Sequence, residues 1–591
     1  MAALGLFTLA HLQSAASAGT RGRAALTRAE ANLSARNLDA ARQDLDAARA
    51  AFTETQAEMS SLGIIAKVAR RIPIVGDQVK AVDTFAGAGL ELAAAARRLV
   101  DAADTIVNPA DQALPISAAM DALRTTQRSL VPAVAAVTHA ADRVARMEGT
   151  FLIGPLGRAR DDLAERLPRI RARAQSAEQG LTALMTFAGE GGPKRYLFLS
   201  QNPDEVRPTG GFIGTYGVLT AEGGRMRLER YDGIETWTGS RPQAVVPAEQ
   251  AGAPFRFHNP PLRRTLANVN STPDWPAVAQ LAADLWRAGG EEPVDGVISF
   301  TPGFMARVLA VVGPVEIPSY GETVTAQNLH DRLDFHVHQV APAAGTDRKD
   351  FVAVVAEAVM RKMLDAPASK WEPLAQAMGQ AFDAREALGW SHDEQVQRAL
   401  ADRGWDGAFP AVPGDFVYNS EFQYVAKNGR GIRRAYDHHV ALRPDGSARI
   451  TTTLTVTNTL PPDHLNASTL AYLTIYGPQG AVLDQGASDA FGFKEPTLAG
   501  HPAYGWFRAA APSGGQATLK VVWDVPGLLL QAGDGSWDYS LLWMHLPDHK
   551  GDVVRLHFEL PAGWRWTGDP PPAEVSLDWD IRGTWRLASG R

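Results

Sequence analysis

The residues best suited to chemistry lie in Lys194–Thr215, KRYLFLSQNPDEVRPTGGFIGT. Asp204 and Glu205 stand just before Arg207, and Pro208-Thr209 leads into Gly210-Gly211. An arginine beside a glycine turn can cradle an oxyanion, and paired carboxylates can hold a metal or accept a proton. Paired glycines permit positive φ and let backbone N–H groups approach a ligand, with Asn202 adding an amide. The competing reading is a hairpin whose charges form a surface ion pair. A second charged run, Asp347-Arg348-Lys349, opens a helical window. Helix N-terminal amides favour anions, and two cations there would add to that pull, unless they form a plain solvated cluster.

These groups need elements to hold them. Tyr196–Leu199, Phe212–Leu219 and Val294–Phe300 read as strands, and Val278–Trp286 and Phe351–Met363 as helices. The alternation predicts a central mixed α/β domain over 191–413. The stripe Phe304, Val308, Leu309, Val311 and Val312 suits either a lipid groove or core. Before it, residues 21–190 are Ala-rich and helical. Leu38, Ala41, Leu45, Ala48 and Phe52 form one seam, and Leu163, Leu167, Ile170, Ala174, Ala177, Leu181 and Leu184 a second. Proline and glycine in Arg71–Gly76 and Ile153–Gly157 break the helices between them. This predicts a helical bundle or coiled-coil stalk. From Phe416 onward, alternation at Ile450–Val456, Val554–Leu560 and Val575–Ile581 predicts a C-terminal antiparallel β-sandwich over 414–591. The fold class is therefore α+β and multidomain. Eight of the 14 tryptophans fall in the last region, where Trp564 and Trp566 either stack on sugar rings or fill core.

Composition limits the choices. A chain of 591 residues exceeds a single core, and its net charge of −7 gives no footprint for nucleic acid. The absence of cysteine excludes disulfides and thiolate chemistry. His330, His336 and His338 with Asp331 and Asp334 lack a compact metal signature, and His438-His439 reads as an exposed strand start. Met1–Thr20 carries no Asp, Glu, Lys or Arg, which suits a partial membrane anchor or signal-like segment over 1–20.

The run QNPDEVRPTGGFIGTYG resembles the signature of the domain of unknown function 4012 family, whose members are mostly predicted to be extracytoplasmic bacterial proteins. The likeness continues in order through Asn270–Pro276, Val294–Phe300, Val312–Pro318, Thr325–Asn328, Asp347–Phe351, Tyr418–Ser420 and Lys427-Asn428. The order of strand, polar loop and charged helix start is also distantly similar to the LytR-CpsA-Psr family, which transfers glycopolymers from polyprenyl-pyrophosphate carriers to the cell wall. That resemblance implies that Arg207 and Arg348 bind phosphate and that Asp204 or Glu205 holds Mg²⁺. Asn202, Gly210, Gly211, Asp347 and Lys349 would then face the substrate. The sequence departs from that pattern where Asp350 and Phe351 follow Arg348-Lys349.

Two functions follow as expectations. One is a membrane-anchored envelope phosphotransferase that takes a polyprenyl-pyrophosphate-linked glycopolymer to the cell wall. The other is a non-catalytic envelope or surface protein that binds glycan or a protein partner. Convergence of Arg207 and Arg348 on one cleft separates them.

Overall fold

The computed structural model describes residues 2–69, 71–72, 74–107, 119–147, 151–238, 265–337, 350–423, 427–462, 470–509 and 513–589. The chain divides into two compact units. One comprises residues 1–193 with 221–225 and 364–372; the other comprises 194–220, 226–363 and 373–591.

The first unit is helical: α1 (Ala2–Ser34), α2 (Leu38–Ser61), α3 (Gly63–Ala69), α4 (Val75–Val107), α5 (Ala119–Ala145) and α6 (Gly154–Phe187). Helix α1 packs on α2, α2 on α4, α4 on α5, and α5 on α6. The seam expected on α2 is buried at Ala41, Leu45, Ala48 and Phe52. On α6 the expected seam needs correction. Leu167 is buried, but Ile170 and Leu184 are exposed, while Ala183 and Met185 are buried. Alanine fits both faces of a helix, so an Ala-rich sequence defines its buried stripe weakly. Among the described residues no helix is long and apolar enough to cross a membrane.

The second unit begins with β1 (Lys194–Asn202), β2 (Phe212–Glu222), β3 (Arg225–Gly233) and α7 (Ile234–Thr238). It continues through α8 (Trp275–Ala288), β4 (Gly296–Phe300), α9 (Pro302–Val312), β5 (Val315–Ile317), β6 (Glu322–Val324), α10 (Leu329–Phe335), α11 (Asp350–Leu364), α12 (Trp371–Asp383), β7 (Ala387–Ser391) and α13 (Glu394–Ala401). Five strands form a sheet in the order β3-β2-β1-β4-β7, with β1 and β4 parallel and β4 and β7 antiparallel. Helix α8 covers it with Trp275, Val278, Ala282 and Trp286, so its apolar stripe builds the core against Leu197, Leu199 and Val297. On α9, Phe304, Val308 and Leu309 are buried, which makes most of that stripe core.

The C-terminal region is β-rich: β8 (Asp415–Gln423), β9 (Ile432–Leu442), β10 (Ala448–Asn458), β11 (Leu470–Tyr476), β12 (Val482–Leu483), β13 (Gly492–Leu498), β14 (His501–Ala509), β15 (Gln516–Val525), β16 (Leu530–Gln531), β17 (Trp537–Met544), β18 (Val553–Glu559), β19 (Arg565–Trp566), β20 (Glu574–Ser576) and β21 (Ile581–Ala588). One sheet runs β12-β15-β10-β9-β18-β20. The other runs β13-β14-β11-β8-β17-β21-β19, with β16 added on β17. Both contribute to one core through Tyr436, Leu454, Trp506, Trp523 and Trp543. The sheets are not purely antiparallel as expected, because β17 pairs β8 and β18 pairs β9 in parallel. Alternation has the same period of two in both kinds of ladder, so the sequence could not show this.

Two further readings change here. His438 is fully buried in the middle of β9, not exposed, and bonds Asp415 Oδ2 at 2.9 Å and Thr452 Oγ1 at 2.9 Å. Its neighbour His439 points the other way and is exposed, as strand alternation requires. Trp564 stacks on Trp537 with centroids 5.9 Å apart, and Trp566 meets Phe558 edge-on at 5.4 Å. Both are partly buried and pack against the core.

Candidate functional site

The signature loop is first of all a folded object. Gln201 Oε1 accepts from Thr209 Oγ1 at 2.8 Å, Gly211 N at 3.1 Å and Asn270 Nδ2 at 3.0 Å. Asn270 Nδ2 also donates to Gly211 O at 2.8 Å, and Gln201, Thr209 and Asn270 are all buried. The Asn270–Pro276 motif therefore folds against QNPDEVRPTGG. Gly210 has φ 138°, a backbone region that excludes most side chains, and its N–H donates to Arg207 O at 2.9 Å. At Gly211 a Cβ would lie 2.1 Å from Asn202 O, so only glycine fits. Both glycine N–H groups are thus used within the loop, and an anion cradle built on them would have to break it.

The charged residues are similarly engaged. Arg207 is 3% exposed. Its Nη1 donates to the carbonyls of Val206 and Gln423, its Nη2 donates to Glu205 Oε1 at 2.8 Å, and its guanidinium lies 4.0 Å from the Phe422 ring centroid. Arg207 braces the loop against β8. The backbones meet as well, with Gln423 N donating to Val206 O at 3.0 Å and Tyr418 Oη to Pro208 O at 2.7 Å. These contacts give the Tyr418–Ser420 segment its place.

Asp204 is held by Arg430. The Arg430 N–H donates to Oδ1 at 3.1 Å, and Nε reaches Oδ1 at 3.1 Å and Oδ2 at 3.0 Å. Arg430 also lies 3.6 Å from Asp331 and 3.8 Å from Asp334. Burial works against its charge, but the nearby carboxylates, Asp204 foremost, outweigh it and raise the Arg430 pKa above its ordinary value. Arg430 was not legible as a site residue, because it stands 226 positions from Asp204. The one clue was the adjoining Lys427-Asn428.

Asp204 and Glu205 do not fit a Mg²⁺ site as arranged. Each already pairs with a different arginine, and among the described residues no three His, Cys, Asp or Glu side chains are grouped to hold a metal. His336 stacks on Phe351 at 3.7 Å and bonds Glu322 at 2.9 Å. His338, Asp347, Arg348 and Lys349 lie outside the described residues, so the expected meeting of Arg207 with Arg348 has no geometry here.

Beside the loop opens a cavity of about 280 Å³. Its polar lining comes from Ser200, Gln201, Asn202 and Thr215 on the β1–β2 side. Its charged lining comes from Asp204, Glu235 and Asp334 against Lys427, with His330 nearby. Phe212, Met305, Leu333, Val337 and Val352 give the apolar wall. Asn202 and Asp204 are thus the two expected site residues that line it, while Arg207, Glu205, Gly210 and Gly211 do not. Gly214 also lines it, and the space where its Cβ would stand is empty within 4 Å. A cavity with one apolar face and converging polar groups is the usual form of a small-ligand site.

No curated protein matches the chain. Residues 191–337 match the family described as Protein of unknown function (DUF4012), a stretch that contains the signature loop and most of the cavity lining. Over residues 191–337, then, this chain carries the DUF4012 pattern.

Proposed function

We propose that the central domain is a binding module for a hydroxyl-rich ligand, a sugar unit of an envelope glycan, rather than a pyrophosphate-handling transferase. The observation that carries this reading is the cavity lining. Amide, hydroxyl and carboxylate groups on one side match the hydroxyl edge of a sugar, and the apolar wall matches its C–H face. The charge balance argues in the same direction. Asp204, Glu235 and Asp334 line the cavity with Lys427, and Arg430 pairs with Asp204 and lies 3.8 Å from Asp334, so three carboxylates face two cations among the described residues. A doubly charged pyrophosphate would meet net repulsion there, whereas a neutral or amino sugar would not. The envelope setting rests on the family likeness and on the uncharged first twenty residues. Transfer would need an activated base or metal, and the two carboxylates expected to serve are both neutralised by arginines.

The test is calorimetric titration of the full chain with short cell-wall glycan fragments and, separately, with a polyprenyl pyrophosphate in the presence and absence of Mg²⁺. Glycan binding in the roughly micromolar to millimolar range, without pyrophosphate binding, supports the proposal. Mg²⁺-dependent binding of the pyrophosphate, with no glycan binding, replaces it with the transferase reading.

A further inference from the structure

One end of the helical unit carries a concentration of exposed apolar side chains. Among the described residues, seven of the sixteen exposed large hydrophobics lie there. Five come from α3 and the turn into α4: Ile64 at 78% exposure, with Val68, Ile72, Ile74 and Val75. Phe151, at 64%, and Ile153 come from the segment leading into α6. Gln78 ties the two turns together, its Nε2 donating to Phe151 O at 2.9 Å and its Oε1 accepting from Ile153 N at 3.0 Å. The first helix starts at the same end: Ala15 packs with Met59, Leu62, Ala66 and Val79, and α1 runs on from there toward its apolar start, Ala2–Ala10.

The charges on this end are one-sided. Lys67, Arg71 and Lys80 are exposed, and Asp77, 3.4 Å from Lys80, is the one acidic residue between Leu62 and Lys80. Phe151–Arg160 has no acidic residue and supplies Arg158, while Arg160 pairs with Asp161 just beyond it at 2.8 Å. A third observation is independent of both. Ile74 is held at φ 69°, where a β-branched side chain is strained, yet it is 55% exposed and so is not kept there by burial of its side chain.

We infer that this end of the bundle seats on an anionic lipid surface, with the apolar side chains entering the acyl boundary and the cations lying among the headgroups. Apolar residues interleaved with Lys and Arg form the chemistry of interfacial membrane binding. A protein partner would require no such bias toward one charge sign, and self-association would bring the cations together. The seat is distinct from the central cavity and stands whether or not the glycan reading does.

The experiment is co-sedimentation of the full chain with vesicles of phosphatidylcholine alone and of phosphatidylcholine with phosphatidylglycerol. The wild type is expected to bind the anionic vesicles at least about tenfold more tightly, with binding falling as salt rises. Ile64→Glu, at an exposed position, is expected to weaken this about tenfold with the thermal midpoint unchanged. Ile74→Asn is expected to weaken it severalfold while raising that midpoint, because asparagine tolerates the left-handed backbone. Failure of the wild type to bind anionic vesicles would overturn the inference. So would unchanged binding in both variants, or a dimer in solution that Ile64→Glu dissolves without any vesicle binding.

Discussion

The C-terminal sheets and the central cavity are both rich in groups that could do chemistry, yet they use them in opposite ways. Inside the sheets, His438, Asp415, Thr452 and Tyr539 make an acid–imidazole–hydroxyl cluster with bonds of 2.6 to 2.9 Å, and His438 and Asp415 have no exposed side-chain surface. Nearby, Arg434 is fully enclosed with Glu421 at 2.6 Å and Asp552 at 3.5 Å. At the cavity, Asn202, Thr215 and Asp334 face a space large enough for a small ligand. The difference teaches that residue type nominates a site and access decides it. A sealed network holds two sheets in register; an open one can meet a guest. The signature loop lies between these cases, with Arg207 sealed and Asp204 at the cavity wall.

The comparison breaks most visibly at Arg434. Arg434→Ala leaves Glu421 and Asp552 buried without their cation, and the expected cost is about 3–5 kcal/mol of stability. Urea unfolding checks this, and a loss below about 1 kcal/mol would show that the enclosure is not what holds these strands. Next comes Gly211→Ala. Its Cβ would press on Asn202 O, and overpacking of this kind costs about 1–3 kcal/mol. Because the loop shapes one wall of the cavity, glycan binding should weaken with it, whereas Arg434→Ala should leave the affinity of the folded fraction unchanged.

A smaller effect comes from acid. His549 is buried with Nδ1 donating to Pro547 O at 2.9 Å, and burial first, then the charge of Arg434, pushes its pKa down to about 3. The folded state therefore keeps His549 neutral where the unfolded chain, with an ordinary value of 6.5, takes up a proton. Its contribution is full above pH 6.5 and is lost as pH falls toward 3, at about 1.4 kcal/mol per pH unit. Asp580, pulled down to about 2 by its bonds to His545 and by Arg385 despite burial, loses its own contribution only below its ordinary value of 3.8. Between pH 6 and 4.5, then, the slope of stability against pH should flatten in His549→Gln. An unchanged slope in that variant would remove His549 as its source.

Much of the architecture was legible. The strands at Tyr196–Leu199 and Phe212–Leu219 and the α2 seam follow from period and apolar run length, and they are where those patterns place them. The site was legible only in part. Asp204, Glu205 and Arg207 are neighbours in the sequence, but the partners that decide their roles, Gln423 and Arg430, arrive from more than two hundred residues downstream. No local pattern records such a meeting. The parallel closures of β8 with β17 and β9 with β18 escaped for the same reason.

The most direct test of the account is binding of a short cell-wall glycan fragment to Gly214→Trp. Gly214 lines the cavity with open space at its Cβ position, so a side chain added there starts without a clash, and a large one is expected to take up cavity space. The account predicts that binding falls at least about tenfold while the thermal midpoint stays within about a degree or two of the wild type. Full affinity in that variant would contradict it, because the ligand would then be held somewhere other than beside Asp204 and Thr215.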